Sequence, residues 1–499
     1  MPDPMPLQAL ITETPAARLA AGRGDRLVHA ICYDSRRAQP GSLFVALPGQ
    51  RTDGRRFIPD ALARGVVAVV AETPPERPVD AAWVVVPSAR AALADLAAAF
   101  YRHPSRALRV VGVTGTDGKT TVTRLAAEIL ERAGFTTGWL STVDVKIGPA
   151  VRKNRTGHTT PEAPEVQALL AEMRAAGVQV AVVEASSHAL AQDRVRGCHF
   201  EIGIFTNLAP EHLNFHGSPE AYRAAKGRLF QMPGLRYAVL NADDPASAVF
   251  AAQTSAQVRT YGLGRPADLV AEQIELLPDG ARFTLRWRDG AAPPMRLETR
   301  FPGRFNVANW LAAALAARLL GASDEALRRA AREVAPPPGR LQPVEAGQPF
   351  RVVVDFAHTP QALATALQAL RPHTPGRLLV AFGHAGERDP ANRPAMGAAA
   401  ARYADYFVIT TDDPVDEDPA EIARAVAQGA AALGVQEGRD FAIVLDRREA
   451  FRHLFALARP GDCVLLAGRG HEEVMPTRGE DVPFDDVEVA RELLAADNR

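Results

Sequence analysis

The chain has 499 residues, more than one hydrophobic core ordinarily serves, so about three domains separated by two boundaries are expected. It is 47% hydrophobic and 23% charged, and its 57 basic and 58 acidic side chains leave a net charge of −1, which excludes the dense basic stripe needed for nucleic acid or anionic membranes. No apolar run is long enough to cross a bilayer, the start is acidic and proline-rich, and Cys32, Cys198 and Cys463 are too scattered for a disulfide framework or a thiolate zinc site, so a cytoplasmic protein without membrane insertion is expected.

Residues 27–33, 43–47, 66–72 and 83–87 are short apolar runs of β type, and 89–101 carries a helical pattern that stops before His103-Pro104. They predict a small α/β domain over 1–104. From Arg109 onward strands and helices alternate: a strand at 110–113, a glycine-rich turn, a helix to about residue 133, strands at 178–183 and 202–205, and another at 237–240. That alternation predicts a central parallel sheet of P-loop type with helices on both faces, extending to residue 338. The run Pro336-Pro337-Pro338-Gly339 cannot continue the preceding helix and reads as the linker. Beyond it, strands at 352–355, 378–382, 406–410, 441–445 and 463–467 predict a third, Rossmann-like α/β domain over 339–499.

The strand at 110–113 runs into Thr114-Gly115-Thr116-Asp117-Gly118-Lys119-Thr120-Thr121 and then into a helix. Backbone N–H groups at such a helix start favour phosphate, the lysine adds a point charge, and the next hydroxyl suits Mg²⁺. The strict phosphate-loop pattern fails at its first glycine, which is Val113 here. The next strand ends at Glu184, an acid facing the crevice where open α/β sheets bind ligands, and Mg²⁺ favours one or two carboxylates plus phosphate oxygens. His212 and His216 have a spacing that invites zinc, but Gly217-Ser218-Pro219 predicts a loop rather than the helix such a site needs. Only Lys119, Lys146, Lys153 and Lys226 are lysines, against 53 arginines, so a surviving lysine marks a position that needs a primary amine. Lys226 falls in a helix starting near Pro219.

Taken together with Phe305-Asn306, Asn309, Gly339-Arg340 and Asp355-Phe356-Ala357-His358-Thr359-Pro360, these motifs resemble the Mur ligases of peptidoglycan synthesis. The likeness spans nearly the whole chain: Asp34-Ser35-Arg36 and Pro48-Gly49-Gln50 match the family's UDP-binding domain, and Gly468-Arg469-Gly470-His471-Glu472 matches a C-terminal motif usually written with lysine second. It is closest to the branch that adds a diamino acid to UDP-N-acetylmuramoyl-L-alanyl-D-glutamate. The resemblance implies that UDP lies on Tyr33, Ser35, Gln50, Arg51 and Thr52, and the sugar-peptide on His158, Thr159, Thr160, Ser186, Gln192 and Arg194. ATP would lie on residues 115–121, with Asn309 near adenine and Arg340 reaching across from the C-terminal domain. It further implies catalytic roles for Lys119, Glu184, His212 and Lys226. Mg²⁺ would sit on Thr120, Glu184, His212 and Lys226, with Lys226 carried as a carbamate, N6-carboxylysine.

The implied chemistry is transfer of the ATP γ-phosphoryl to the D-glutamyl γ-carboxyl, then attack of an amine on the acyl phosphate. Arg340 and His358 lie beyond the linker from Lys119, so domain closure is expected. A monomer is expected. Two departures from the family, Asp117 and His158 where asparagine is usual, remove no catalytic group. The alternatives are a related dipeptide-adding or folylpolyglutamate ligase, which the 468–472 and 34–36 motifs oppose, or a nucleotide-binding homologue without catalysis.

The amino-acid pocket is implied to comprise Arg388, Asp412, Asp413, Pro414, Val415, Gly468 and Glu472. Family members using meso-diaminopimelate carry Asp-Asn-Pro-Arg where this chain has Asp412-Asp413-Pro414-Val415. Valine cannot form the bidentate pair with a distal carboxylate, and Asp413, Asp416 and Glu417 make the segment acidic, so L-lysine or L-ornithine is expected instead. An arginine from elsewhere in the fold, Arg393 for instance, could restore the missing contact.

Overall fold

The computed structural model describes residues 3–49, 52–75, 77–288, 290 and 292–497. Three α/β domains follow one another along the chain. The first is built on a five-stranded sheet in the order Arg18–Ala21, Ala82–Val85, Ala68–Ala71, Ser42–Val45 and Ala30–Cys32, parallel except at the first strand. The predicted run 27–33 is broken: Leu27–Val28 pairs away with Met5–Pro6, and only Ala30–Cys32 joins the sheet. Ser88 Oγ accepts the N–H of Ala91 and starts the helix Ala89–Phe100, which buries Leu93, Leu96 and Phe100.

The central sheet has eleven strands. Its middle is parallel, in the order Thr137–Leu140, Val180–Glu184, Arg109–Thr114, Ile202–Phe205, Tyr237–Asn241, Gln257–Gly262 and Leu269–Leu277. Both edges are antiparallel additions to the parallel sheet that the strand–helix alternation predicts. One edge is the hairpin Asp144–Ile147 and Ala150–Lys153; the other is Gly280–Trp287 and Met295–Thr299. One face packs on the helices Lys119–Arg132, Arg304–Leu319 and Asp324–Glu333, the other on Ala163–Ala175 and Ala246–Gln253. Where both faces are covered, as in Val180–Glu184 and Ile202–Phe205, every residue of the strand is buried, whereas Gln257–Gly262 and Leu269–Leu277 are partly exposed.

In the C-terminal domain Gln342–Pro343 pairs antiparallel with Arg351–Asp355, followed in parallel by Cys463–Ala467, Leu378–Phe382, Tyr406–Ile409 and Phe441–Ile443. Helices again cover both faces. The fully buried ion pair Arg447–Asp486, at 2.6 Å, fastens the last helix, Asp486–Asp497, to the sheet. Among the described residues no helix is long and apolar enough to cross a membrane.

Candidate active site

The phosphate loop joins the strand Arg109–Thr114 to the helix Lys119–Arg132. Gly118 (φ 83°) is the turn into the helix, and a Cβ there would lie 2.4 Å from Asn309 Oδ1, so Asn309 packs directly on the loop. At Gly115 a Cβ would strike Thr206 Oγ1. The neighbouring strand end pins the loop from outside: Asn207 Oδ1 accepts the Asp117 N–H at 2.9 Å, and Thr206 Oγ1 donates to Asp117 O at 2.6 Å. Thr116 Oγ1 lies 3.0 Å from Tyr222 Oη. Lys119 Nζ donates to the carbonyls of Gly115 and Thr116, at 3.1 and 2.7 Å. Burial, then Glu211, raise the Asp117 carboxyl, against Lys119, His358 and Arg340.

Lys226 Nζ donates to Gly115 O at 2.6 Å and sits 4.3 Å above the Tyr222 ring. The residue is 1% exposed, and burial reinforced by Lys119 holds its amine well below the ordinary lysine value.

Glu184 is fully buried at the end of its strand. Its oxygens accept from Thr142 N–H at 2.9 Å and Thr142 Oγ1 at 3.0 Å, and Thr120 bonds it as well. Burial pushes this carboxyl upward. Thr142 was not legible from sequence: it reaches Glu184 because the strand Thr137–Leu140 lies beside Val180–Glu184.

Around Glu184 the residues assigned to the sugar-peptide gather. Thr160 Oγ1 donates to Glu184 O at 2.6 Å, and Ser186 N–H donates to Thr160 Oγ1. Thr159 Oγ1 is 3.1 Å from Thr142 Oγ1. Arg194 donates to Thr160 O at 2.9 Å and Gln192 Oε1 at 2.8 Å and pairs with Glu162 at 3.0 Å. His158 stays exposed on the adjoining loop. The N-terminal residues stand farther off: Tyr33 Oη donates to Glu165 Oε1 at 2.9 Å, Ser35 is buried in the turn Ser35–Arg37, Thr52 is exposed, and Gln50 and Arg51 lie outside the described residues.

After Ile202–Phe205 the structure adds one helical turn before the loop expected at Gly217-Ser218, and the helix expected near Pro219 is present. His212 (φ 55°) precedes a single helical turn, Leu213–His216, and Ser218 caps the helix Pro219–Gly227. The rings of His212 and His216 pack 4.6 and 5.4 Å from His188. Burial, then the two neighbouring histidines, drive His188 down to about 3, and burial drives His212 down to about 4 in spite of Glu211. Among the described residues no three His, Cys, Asp or Glu side chains are gathered as a metal-ligand set. Thr120 and Glu184 touch, whereas His212 stands apart from them, facing Lys119 and Lys226.

The C-terminal domain closes on this surface. His358 Nε2 pairs with Glu211 Oε1 at 3.5 Å. Burial works against the Glu211 carboxylate, but His358, His212 and Lys119 prevail and hold it well below the usual range. Arg340 lies 4.8 Å over the Phe356 ring, with its buried Nε unpartnered and its charge felt at Asp117 and Glu184.

In the expected amino-acid pocket, Arg469 is fully buried. It pairs with Asp413, stands 3.9 Å from both Asp412 and Glu472, and donates to Val474 O at 2.8 Å. Burial and the neighbouring acids push Asp413 and Glu472 upward. A Cβ at Gly468 would lie 2.2 Å from Asp412 Oδ2. Pro414 is buried, and Val415 N–H donates to Pro476 O at 3.3 Å. Arg388 is exposed, and its charge reaches Asp413 and Glu472. The other acids of the segment contribute less than sequence suggested: Asp416 is exposed, and Glu417 is paired through both oxygens, at 2.8 Å, with Arg393.

Three family models match the chain: Mur ligase family catalytic domain over 27–101, Mur ligase middle domain over 113–317, and Mur ligase glutamate ligase domain over 339–470. The chain belongs to the Mur ligase family. It is 46% identical over 484 residues to the UDP-N-acetylmuramyl-tripeptide synthetase of Roseiflexus sp. (strain RS-1), covering 94% of each chain. It is 42% identical over 498 residues to the UDP-N-acetylmuramoyl-L-alanyl-D-glutamate–2,6-diaminopimelate ligase of Geobacillus thermodenitrificans, covering 98% of this chain and 99% of that one. A solved structure of a ligase of that second description superposes with a TM-score of 0.69 at 32% identity, over 100% of both chains. As a Mur ligase, the protein is an ATP-dependent amide ligase. Among the residues that build its centre, Thr142, Glu211, Asp389 and Arg469 escaped assignment from sequence, although Arg469 lies inside the Gly468–Glu472 motif.

Proposed function

We propose that this Mur ligase joins L-lysine or L-ornithine, in preference to meso-diaminopimelate, to the D-glutamyl γ-carboxyl of UDP-N-acetylmuramoyl-L-alanyl-D-glutamate. The γ-phosphoryl of ATP passes to that carboxylate and ADP leaves. The amine then attacks the acyl carbon, and the tetrahedral adduct expels phosphate and loses a proton. Lys119 and the N–H groups of 115–121 hold the ATP phosphates, with Asn309 on the adenine side and Arg340 closing from the C-terminal domain. Thr159, Thr160, Ser186, Gln192 and Arg194, with His158 at the rim, orient the acceptor, while Tyr33, Ser35, Gln50, Arg51 and Thr52 take the uridine diphosphate.

Thr120, Glu184, His212 and a carbamate on Lys226 would hold Mg²⁺, which when bound neutralises phosphate charge. Thr120 and Glu184 fit as they stand, Glu184 being a fully buried carboxylate whose hydrogen-bond donors, Thr142 and Thr120, are both neutral, whereas His212 stands apart from them and Lys226 lies on Gly115 O. The buried, readily neutral Lys226 amine supports the carbamate, because CO₂ adds to a free amine, forming an N–C bond and releasing a proton. Lys226→Ala should lower activity by about a hundredfold, and added acetate should restore part of it. Full activity of that variant would remove the carbamate from the scheme.

The choice of amino acid is carried by Val415 beside Asp412, Asp413 and Glu472. A distal carboxylate would find acids, with Arg393 held by Glu417 and Arg469 by Asp413, while the exposed Arg388 is left for the α-carboxylate. A terminal ammonium suits the same surface. The compound named for the Geobacillus relative, 2,6-diaminopimelate, is therefore the competing substrate to measure. ADP release with the UDP-dipeptide should give kcat/KM values for L-lysine or L-ornithine at least about a hundredfold above meso-diaminopimelate. The reverse preference would overturn this choice.

A further inference from the structure

Five of the eleven non-glycine residues with positive φ among the described residues meet at one place: His212 (55°), Glu387 (55°), Asp389 (24°), Asp413 (29°) and Val415 (55°). Side chains with a Cβ enter this region at a cost, and such strain persists where surrounding contacts enforce it. Here the contacts run in one line. Gly386 N–H donates to Asp413 O at 2.9 Å, and a Cβ on Gly386 would lie 2.0 Å from Pro414 O, so the two backbones touch. Three residues later, Asp389 crosses to the central domain. Its Oδ2 accepts the His212 N–H at 2.9 Å and its Oδ1 accepts the Asn214 N–H at 3.1 Å.

A carboxylate of the C-terminal domain thus caps the helical turn Leu213–His216 of the central domain, whose own preceding residue, His212, supplies no side-chain cap. Asp389 O meanwhile accepts Asn392 N–H at 2.8 Å beside the start of the helix Asn392–Tyr403, which anchors the segment behind. Four residues, 386–389, therefore join the backbone that carries Asp413 to the backbone that carries His212.

We infer that segment 386–389 is a mechanical tie through which occupancy of the amino-acid pocket fixes the His212 loop, with Asp389 as its positioning residue. This rests on the reading above, in which Asp413 and Arg388 face the incoming amino acid and His212 faces the phosphoryl site. Arg388 lies between the two tied ends, so an amino acid drawing on Arg388 and Asp413 stiffens the segment and holds Asp389 against the two N–H groups. The coupling is reciprocal: ordering of the His212 loop by nucleotide strengthens amino-acid binding by the same factor.

Backbone hydrogen exchange, measured on the full chain with a non-hydrolysable ATP analogue and UDP-dipeptide, tests the tie. In the wild-type protein, adding the best amino-acid substrate should slow exchange in peptides covering both 410–417 and 210–217. In Asp389→Ala the protection at 410–417 should remain while that at 210–217 falls by about tenfold, and Asp389→Asn, which keeps one acceptor oxygen, should lie between. In turnover, Asp389→Ala should raise the amino-acid KM by about tenfold, while the Kd of the non-hydrolysable ATP analogue, measured by titration without amino acid, should stay unchanged. Wild-type protection at 410–417 alone, or protection of 210–217 that survives in Asp389→Ala, overturns the tie and leaves the pocket reading standing. Wild-type protection at neither peptide overturns both.

Discussion

Lys119 and Arg469 are each a cation at the heart of a site, yet their surroundings differ in kind. Lys119 rests on two neutral carbonyls of its own loop, and among the described residues no acid pairs with it. Arg469 is fully buried, paired with Asp413, with Asp412 and Glu472 at 3.9 Å. A cation parked on carbonyls keeps its charge available for an arriving anion, whereas one clamped among carboxylates serves as scaffold and sets how acidic its surroundings remain. The loop around Lys119 accordingly keeps charge to offer, as the proposed phosphate site requires, whereas in the proposed amino-acid pocket the charges are largely spoken for.

The sharpest way to break this contrast is Lys119→Ala. It should cost at least about a thousandfold in kcat, near 4 kcal/mol, with the unfolding midpoint almost unchanged. A large loss of stability, seen by thermal melting, would show that Lys119 is scaffold too. Arg469→Met should behave the opposite way, lowering stability by about 3 kcal/mol because it strands buried carboxylates. Urea unfolding of Arg469→Met, Asp413→Asn and the double variant should show that the second change recovers part of the first loss; strict additivity would mean the pair is not coupled.

Asp355 sharpens the picture from the acid side. Burial, opposed by Arg340 and by the N–H groups of Leu341 and Ala357, pushes its carboxyl up to about 6. A carboxyl that holds its proton more tightly when folded stabilises the fold at low pH, so stability should fall by about 2–3 kcal/mol as pH rises from about 4 through about 6. Asp355→Asn should flatten that part of the pH–stability curve, and an unchanged slope would assign it elsewhere. The smallest effect lies away from both cations: Tyr33→Phe removes the bond to Glu165 and should cost about 1 kcal/mol, read as a few-fold rise in KM for the UDP substrate.

The same contrast governs what could be read from sequence. The phosphate loop is contiguous, its strand and helix have strong periodicity, and Glu184 ends an apolar run, so all were legible before any coordinates. The five principal C-terminal strands were legible for the same reason, being apolar on both faces. Met295–Thr299 alternates buried and exposed residues as a half-buried strand does and went unread all the same, whereas Ala150–Lys153 carries no burial signal because all four residues are exposed. Arg469 and Asp413 lie 56 residues apart, and Asp389 and His212 lie 177 apart, so only the fold could reveal that each pair acts as a unit.

The exposed edge strand Ala150–Lys153 has a practical consequence. Lys153 pairs across the domain boundary with Glu473, and its side chain is 59% exposed, whereas Lys226 and Lys146 are 1% and 5% exposed and Lys119 is folded onto its loop. A lysine-specific protease therefore meets one accessible bond in the native chain, after Lys153, and the ion pair guards that bond only while the C-terminal domain is closed. The rate of cleavage after Lys153 is therefore a label-free gauge of the closure expected from the sequence: it should slow when ATP analogue and UDP-dipeptide are added, and an unchanged rate would count against closure.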